Sequence, residues 1–97
     1  MKVGLEKLEN HKGIAVKALL DSRATGLFIN TVFAKEKGFK MEKLRNPLLV
    51  RNVDRTINMG GVIMYQVECN IFFKGHTESV RMDVCNLGKK EVILGIL

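Results

Sequence analysis

The most informative pattern in this chain is IAVKALLDSRATG, which occupies residues 14–26. Its apolar run ends abruptly at Asp21, and such a run suits a strand that is buried on both faces. The small and polar residues that follow predict a turn at the end of this strand. A carboxylate at the edge of a core loses hydration. Asp21 therefore either caps the turn together with Ser22, through side-chain to backbone hydrogen bonds, or belongs to a functional site.

The rest of the chain reads as short β-segments around one helix. Asn30 or Thr31 can cap the start of this helix, because a side-chain oxygen there accepts the free N–H groups of the first turn. We expect the helix to run to Lys37, after which Gly38 supplies a left-handed stop. The predicted strands are residues 3–8, 14–20, 48–53, 62–73, 78–84 and 91–97.

Two hairpins are predicted in the second half of the chain. The first follows Pro47, has a polar tip at residues 54–56 and returns through Gly60-Gly61. The second turns at residues 74–77. The residues that alternate onto one face of its return strand are Val80, Met82 and Val84.

Composition sets the limits on the fold class and the setting. A chain of 97 residues with 46% hydrophobic and 27% charged residues fits one folded domain, residues 1–97, and not a disordered segment. No apolar run is long enough to span a bilayer, so we expect no membrane partner. The start of the chain does not read as a secretory signal and only two cysteines occur, which favours an intracellular, cytoplasmic setting.

The net charge of +6 raises the question of nucleic-acid binding. The densest basic stretch is residues 35–45, but Glu36 and Glu42 interrupt it and no aromatic-basic alternation accompanies it. This pattern is more typical of a solvated helix face, and we do not expect a nucleic-acid partner. If the charge did drive such binding, the affinity would fall steeply with salt.

Two motifs, taken together, resemble the retropepsin-like aspartic proteases, especially those of gypsy-type LTR retrotransposons and their domesticated relatives. The family's motif of an apolar strand followed by Asp, Ser or Thr, Gly and Ala is matched by Asp21, Ser22 and Ala24. Its second signature, an apolar pair before Gly, is matched by Ile93-Leu94-Gly95. The resemblance covers nearly the whole chain and implies a mostly β, closed, barrel-like fold with one short helix.

The resemblance also implies an aspartic endopeptidase that works as a homodimer on an extended peptide or polyprotein, without metal or cofactor. Each subunit would supply one catalytic Asp21, and the two carboxyl groups would share one proton. Ser22 would bond across the dimer and hold the two loops together. The residues implied in substrate binding are Ala24, Thr25 and the flap residues Val53, Asp54, Arg55, Thr56 and Ile57. Those implied in supporting the site are Arg23, Ile93, Leu94 and Gly95.

Three positions depart from the family pattern. Arg23 stands where the family has Gly, and a cation beside the two carboxylates favours both being ionised, which removes the shared proton. Arg55 stands where a turn glycine is expected, and the chain ends at Leu97, where the family often continues. The alternative is therefore an inactive or domesticated module of the same fold that binds peptides or itself.

The remaining candidate residues read as structural. His11 and His76 fall in predicted turns with no ligand at metal spacing, so we read them as surface histidines. Cys69 and Cys85 lie on predicted strands and read as buried, unreactive thiols. Asp83 is read as a solvated strand carboxylate.

Overall fold

The structure is a computed structural model that describes residues 1–21, 26–50 and 61–95. Strands dominate the described part of the chain, as predicted, and a single turn-and-a-half helix accompanies them. The elements in chain order are β1 (Lys2–Lys7), β2 (Gly13–Asp21), β3 (Leu27–Asn30), α1 (Thr31–Glu36), β4 (Met41–Val50), β5 (Gly61–Phe73), β6 (His76–Cys85) and β7 (Val92–Gly95).

The sheet closes on itself into a six-stranded barrel. The strands are ordered β1-β2-β7-β3-β6-β5, and β5 returns to pair with β1 in antiparallel register, so that Leu5 lies opposite Ile71. β4 pairs with the first part of β5, on the same edge that β1 occupies further along. Closure pairs the edges of β1 and β5 that an open sheet would leave free, and the outer edge of β4 remains. The closed, mostly β fold with one short helix is thus confirmed.

The barrel core is formed by side chains that alternate inward along the strands. Burying each large apolar side chain contributes about 1.5–3 kcal/mol relative to leaving it exposed. A second, smaller cluster lies against the other side of β7, where Phe28, Leu87 and Ile93 are buried together. The large side chains most completely buried in the described residues are Leu5, Ile29, Ile63, Met82, Ile93, Val16, Val67 and Val92.

The expectation that β2 is buried on both faces is wrong. Val16 and Ala18 point into the core, but Ala15 and Lys17, on the outer face, are exposed. Leu20 shares the inner face with Val16 and Ala18 by strand alternation, yet it is 54% exposed. The outer face therefore meets solvent, and the inner face is left open near the end of the strand.

The helix is confirmed, with slightly different bounds. The Asn30 side chain caps it by accepting a hydrogen bond from the backbone N–H of Val32 at 3.0 Å. Lys37 is the C-cap residue, and Gly38 follows with a φ of 72°, the left-handed conformation that favours glycine. No helix in the described ranges combines the length and the hydropathy needed to cross a bilayer.

The interpretation of residues 35–45 as one solvated helix face is wrong beyond Lys37. β4 begins at Met41, so that Lys43 and Arg45 lie on a strand. The buried ring of Phe39, just past the helix stop, and the pairing of Met41 with Val67 draw this segment into the sheet. Its register shifts between Lys43 and Leu48, so it is an irregular strand at the sheet edge.

The hairpin between β5 and β6 turns where it was predicted. Lys74 and Gly75 both have positive φ, at 48° and 79°, as a two-residue type I′ turn requires. Val80, Met82 and Val84 face inward, with Val80 only partly buried. Asp83 differs from the prediction, because it is half-buried and accepts a hydrogen bond from Gln66 Nε2 at 2.8 Å.

Candidate active site

Asp21 is the last residue of β2 and lies beside the C-terminal end of β7. The two strands run parallel, and their register sets Leu20 against Leu94 and Asp21 against Gly95. The Asp21 side chain is 9% exposed, so its carboxyl group is largely withdrawn from solvent. The topology therefore brings together the two sequence motifs that lie more than seventy residues apart in the chain.

Gly95 also contacts the residue at which the chain re-enters the sheet. Its backbone N–H donates to the Gly26 carbonyl at 2.7 Å. Asp21 and Gly26 flank residues 22–25, so both ends of this segment are held against the same glycine. Gly26 does not stand out in the sequence, because its role depends on a partner from the far end of the chain.

β7, which carries Gly95, is packed on both faces and paired on both edges. Ile93 is fully buried and packs with Phe28 and Leu87, while Leu94 faces the main core. Its two edges are hydrogen-bonded to β2 and to β3. Residues 93–95, predicted to support the site, are three of the four residues of this strand.

Leu20, next to Asp21, is a feature that the sequence analysis missed. Its side chain is 54% exposed, whereas Leu94 opposite it in the β2–β7 pair is 9% exposed. Leu20 reads in the sequence as one more residue of an apolar strand, and only the barrel geometry reveals that nothing within the described protomer covers it.

Several predicted site residues lie outside the described residues. The antiparallel pairing of β4 with β5 confirms the first predicted hairpin, and its last described pair is Val50 with Gly61. Leu97 lies after the last described residue, Gly95. The predicted site residues that fall between the described ranges are Ser22, Arg23, Ala24, Thr25, Val53, Asp54, Arg55, Thr56 and Ile57.

Asn30 links the helix to the loop that precedes β7. Besides capping α1, its side-chain Nδ2 donates to the carbonyls of Gly88 and Lys90, both at 2.8 Å. Because Asn30 is buried and its side chain makes three hydrogen bonds, the loop that leads into β7 is held in place. The capping role was predicted, but the clamp on the loop was not, since it joins residues almost sixty positions apart.

The two cysteines are free thiols, and Cys85 packs against the cluster of Phe28, Leu87 and Ile93. Cys69 is buried on β5, and its thiol lies 3.9 Å from Met82 Sδ. Cys85 is only partly buried, so the prediction of a buried thiol holds fully for Cys69 alone. Burial, with a smaller contribution from Glu68, raises the pKa of Cys69 to about 11. Burial, with a smaller contribution from Asp83, raises the pKa of Cys85 to about 11.

These pKa values predict that both thiols react slowly with Ellman's reagent at pH 8 in the folded protein.

The raised thiol pKa values also predict that the free energy of unfolding falls as pH rises from about 9 to about 11, because the unfolded chain releases thiol protons near 9.0 while the folded one retains them. Urea unfolding of the wild type and of Cys69→Ala, at pH 8 and pH 10, checks this. An equal loss of stability in both proteins would contradict it.

The fold and the site geometry can be compared with known proteins. A family model described as the PEG10/RTL1 protease domain matches residues 17–97, which include Asp21 and all of β7. The chain is also similar to the solved retroviral protease-like domain of Ddi1 from Leishmania major, with a TM-score of 0.56 and 18% identity over 98% of this chain and 70% of that chain. That structure supports the fold. With the family match spanning most of its length, this retropepsin-like chain belongs to the PEG10/RTL1 protease domain family.

Proposed function

We propose that this chain is an aspartic endopeptidase domain that acts as a homodimer on an extended polypeptide, the natural substrate being a retroelement polyprotein. The observation that carries the proposal is the position of Asp21, a largely buried carboxylate at a strand end, in register with Gly95. One such carboxylate is half of an aspartic protease site, so the second has to come from another copy of the chain.

The chemistry follows from bringing two Asp21 carboxyl groups together. Like charges at close range cannot both ionise cheaply, so the pair shares one proton. The ionised carboxylate takes a proton from a water molecule, which attacks the scissile carbonyl. The protonated partner donates to the carbonyl oxygen and stabilises the charge that develops there.

The other roles are assigned by family resemblance. Ser22 is proposed to link the two loops across the dimer. Ala24 and Thr25 are proposed to line the cleft, and residues 53–57 to close over the bound peptide and exclude water. The β4–β5 hairpin, whose described pairing reaches Val50 and Gly61, is the base from which that segment would extend.

Leu20 supports the dimer part of the proposal. Leu20 is 54% exposed, so covering it would contribute roughly half of the 1.5–3 kcal/mol that full burial of a leucine contributes, and a second subunit bringing its own Asp21 to this position would cover it. The two-fold axis makes the gain count twice, once for each Leu20.

Leu20→Glu is therefore expected to weaken self-association by about 10–10²-fold, since two half-exposed leucine contacts are lost per dimer. Sedimentation equilibrium over a range of protein concentrations measures the dissociation constant. The matched control is Val32→Glu on α1, where the replaced side chain is 61% exposed. A dimer that tolerates Leu20→Glu as well as Val32→Glu would place the interface elsewhere.

Arg23 sets the expected level of activity. Its charge next to a pair of acids favours their fully ionised form, so we expect the wild-type chain to cleave weakly. The test is cleavage of a peptide panel at mildly acid pH by the wild type and by Arg23→Gly. Pepstatin-sensitive cleavage that appears or rises in Arg23→Gly supports the proposal, and its absence from both proteins contradicts it.

The second candidate is a non-enzymatic module of the same fold that binds peptides or its own copy. Arg23 and Arg55, both at positions where small turn residues are expected, favour this candidate. It predicts peptide binding or dimerisation without turnover in either protein. Turnover that Asp21→Asn removes would exclude it.

A further inference from the structure

A cluster of lysines lies on the outer face of the barrel, beside the middle of β2. Lys2 and Lys17 are direct partners in the antiparallel β1–β2 pair. They point outward, because the next pair along, Val3 with Val16, occupies the core face. Lys89 and Lys90, in the loop before β7, line the same surface as Lys17. We call these four lysines the basic patch.

The pairing within the basic patch is unfavourable in the free protein. Residues directly opposite in an antiparallel pair have Cβ atoms about 4.5–5.5 Å apart, and like charges in this position destabilise the sheet. Among the described residues that line the surface around Lys17, Glu91 is the acidic one. Its Oε1 accepts a hydrogen bond from the backbone N–H of Lys17 at 2.7 Å.

The surface beside these lysines is concave and partly apolar. A cavity of about 470 Å³ is lined by Lys17, Lys89, Lys90 and Glu91, and its apolar side chains that reach the surface are those of Met1, which is exposed, and Leu19, which is partly buried. The loop that carries Lys89 and Lys90 is held by the two Asn30 hydrogen bonds to Gly88 and Lys90. A ligand for this cavity needs negative charge and an aliphatic group together.

We propose that the basic patch docks an acidic segment of a partner polypeptide, rich in Asp or Glu and carrying an aliphatic side chain that enters the cavity. A nucleic acid fits the same surface less well. Among the described residues that line the cavity none is aromatic, so bases have nothing to stack on, whereas its apolar side chains can contact an aliphatic group. Docking at the basic patch requires neither cleavage nor a dimer, so this proposal is tested independently of the proposed protease activity.

The test measures binding of a fluorescein-labelled peptide of alternating Glu and Leu by anisotropy, at low ionic strength. Lys89→Glu/Lys90→Glu is expected to weaken binding by at least about 10-fold. The control, Lys12→Glu/Lys40→Glu, makes the same change of net charge at exposed lysines outside the patch and is expected to change the affinity less than about 2-fold. A single-stranded oligonucleotide of equal charge is the competing probe.

A second readout concerns the free protein. Lys2→Glu turns the like-charge pair with Lys17 into an opposite-charge pair, so it is expected to raise the thermal midpoint while weakening peptide binding. The proposal is overturned if the peptide does not bind, if both double variants weaken it equally, if the oligonucleotide binds more tightly through the same lysines, or if Lys2→Glu lowers the midpoint.

Discussion

Asp21→Asn, introduced into the Arg23→Gly variant, is expected to lower peptide cleavage by at least about 100-fold. An amide can neither take a proton from the attacking water nor share one with its counterpart. Because one gene encodes both subunits of a homodimer, the substitution replaces both members of the pair at once. The measurement is kcat/KM for a fluorogenic peptide at mildly acid pH, at protein concentrations where sedimentation shows a dimer.

The matched control for this experiment is Asp83→Asn in the same background. Asp83 is also a partly withdrawn strand carboxylate, and an amide oxygen there still accepts from Gln66. It is expected to retain activity within about 2-fold. If Asp21→Asn left cleavage intact, or if Asp83→Asn removed it equally, Asp21 would not be the catalytic acid.

Leu5→Ala is expected to destabilise the protein by about 2–5 kcal/mol. Leu5 is fully buried at the seam where β1 meets both β2 and β5, so truncating it leaves a cavity between three strands. Against a total stability of about 5–15 kcal/mol for a domain, this is a large fraction. Urea denaturation measures it as a fall in the midpoint at unchanged slope.

Leu20→Ala provides the comparison at the same residue type. With its side chain 54% exposed in the protomer, it is expected to change stability by no more than about 0.5 kcal/mol. Both variants have to be unfolded at protein concentrations where sedimentation shows monomers, because dimerisation adds to apparent stability. Equal destabilisation by the two substitutions would mean that Leu20 is packed within the protomer.

Local sequence patterns predicted the helix and most strands better than they predicted burial and strand pairing. The Asn30 cap and the Gly38 stop defined the helix, because a cap and a left-handed glycine act within one turn. β4 was misread before Pro47, because its alternation is broken by a register shift and its strand character comes from pairing with β5. The burial of β2 was also misread, since an apolar run does not say which of its faces a barrel leaves open.

The candidate site was predictable in its parts. Asp21 and Gly95 were identified from two short motifs, and the structure sets them side by side in a parallel pair. No local rule pairs β2 with β7 across most of the chain, and the resemblance to a known family supplied that link. The exposure of Leu20 and the Asn30 clamp depend on the closed barrel, so no window of sequence contained them.

The closure of β1 onto β5 bears on how the domain should be cut for expression. The family match begins at residue 17, in the middle of β2. A fragment trimmed to that point would lose β1 and the first half of β2, uncover Ile71 and Cys69, and leave the flanking strands with unsatisfied backbone groups open to intermolecular pairing. The smallest unit that keeps the ring of strands intact starts at Lys2, well ahead of the recognisable motif.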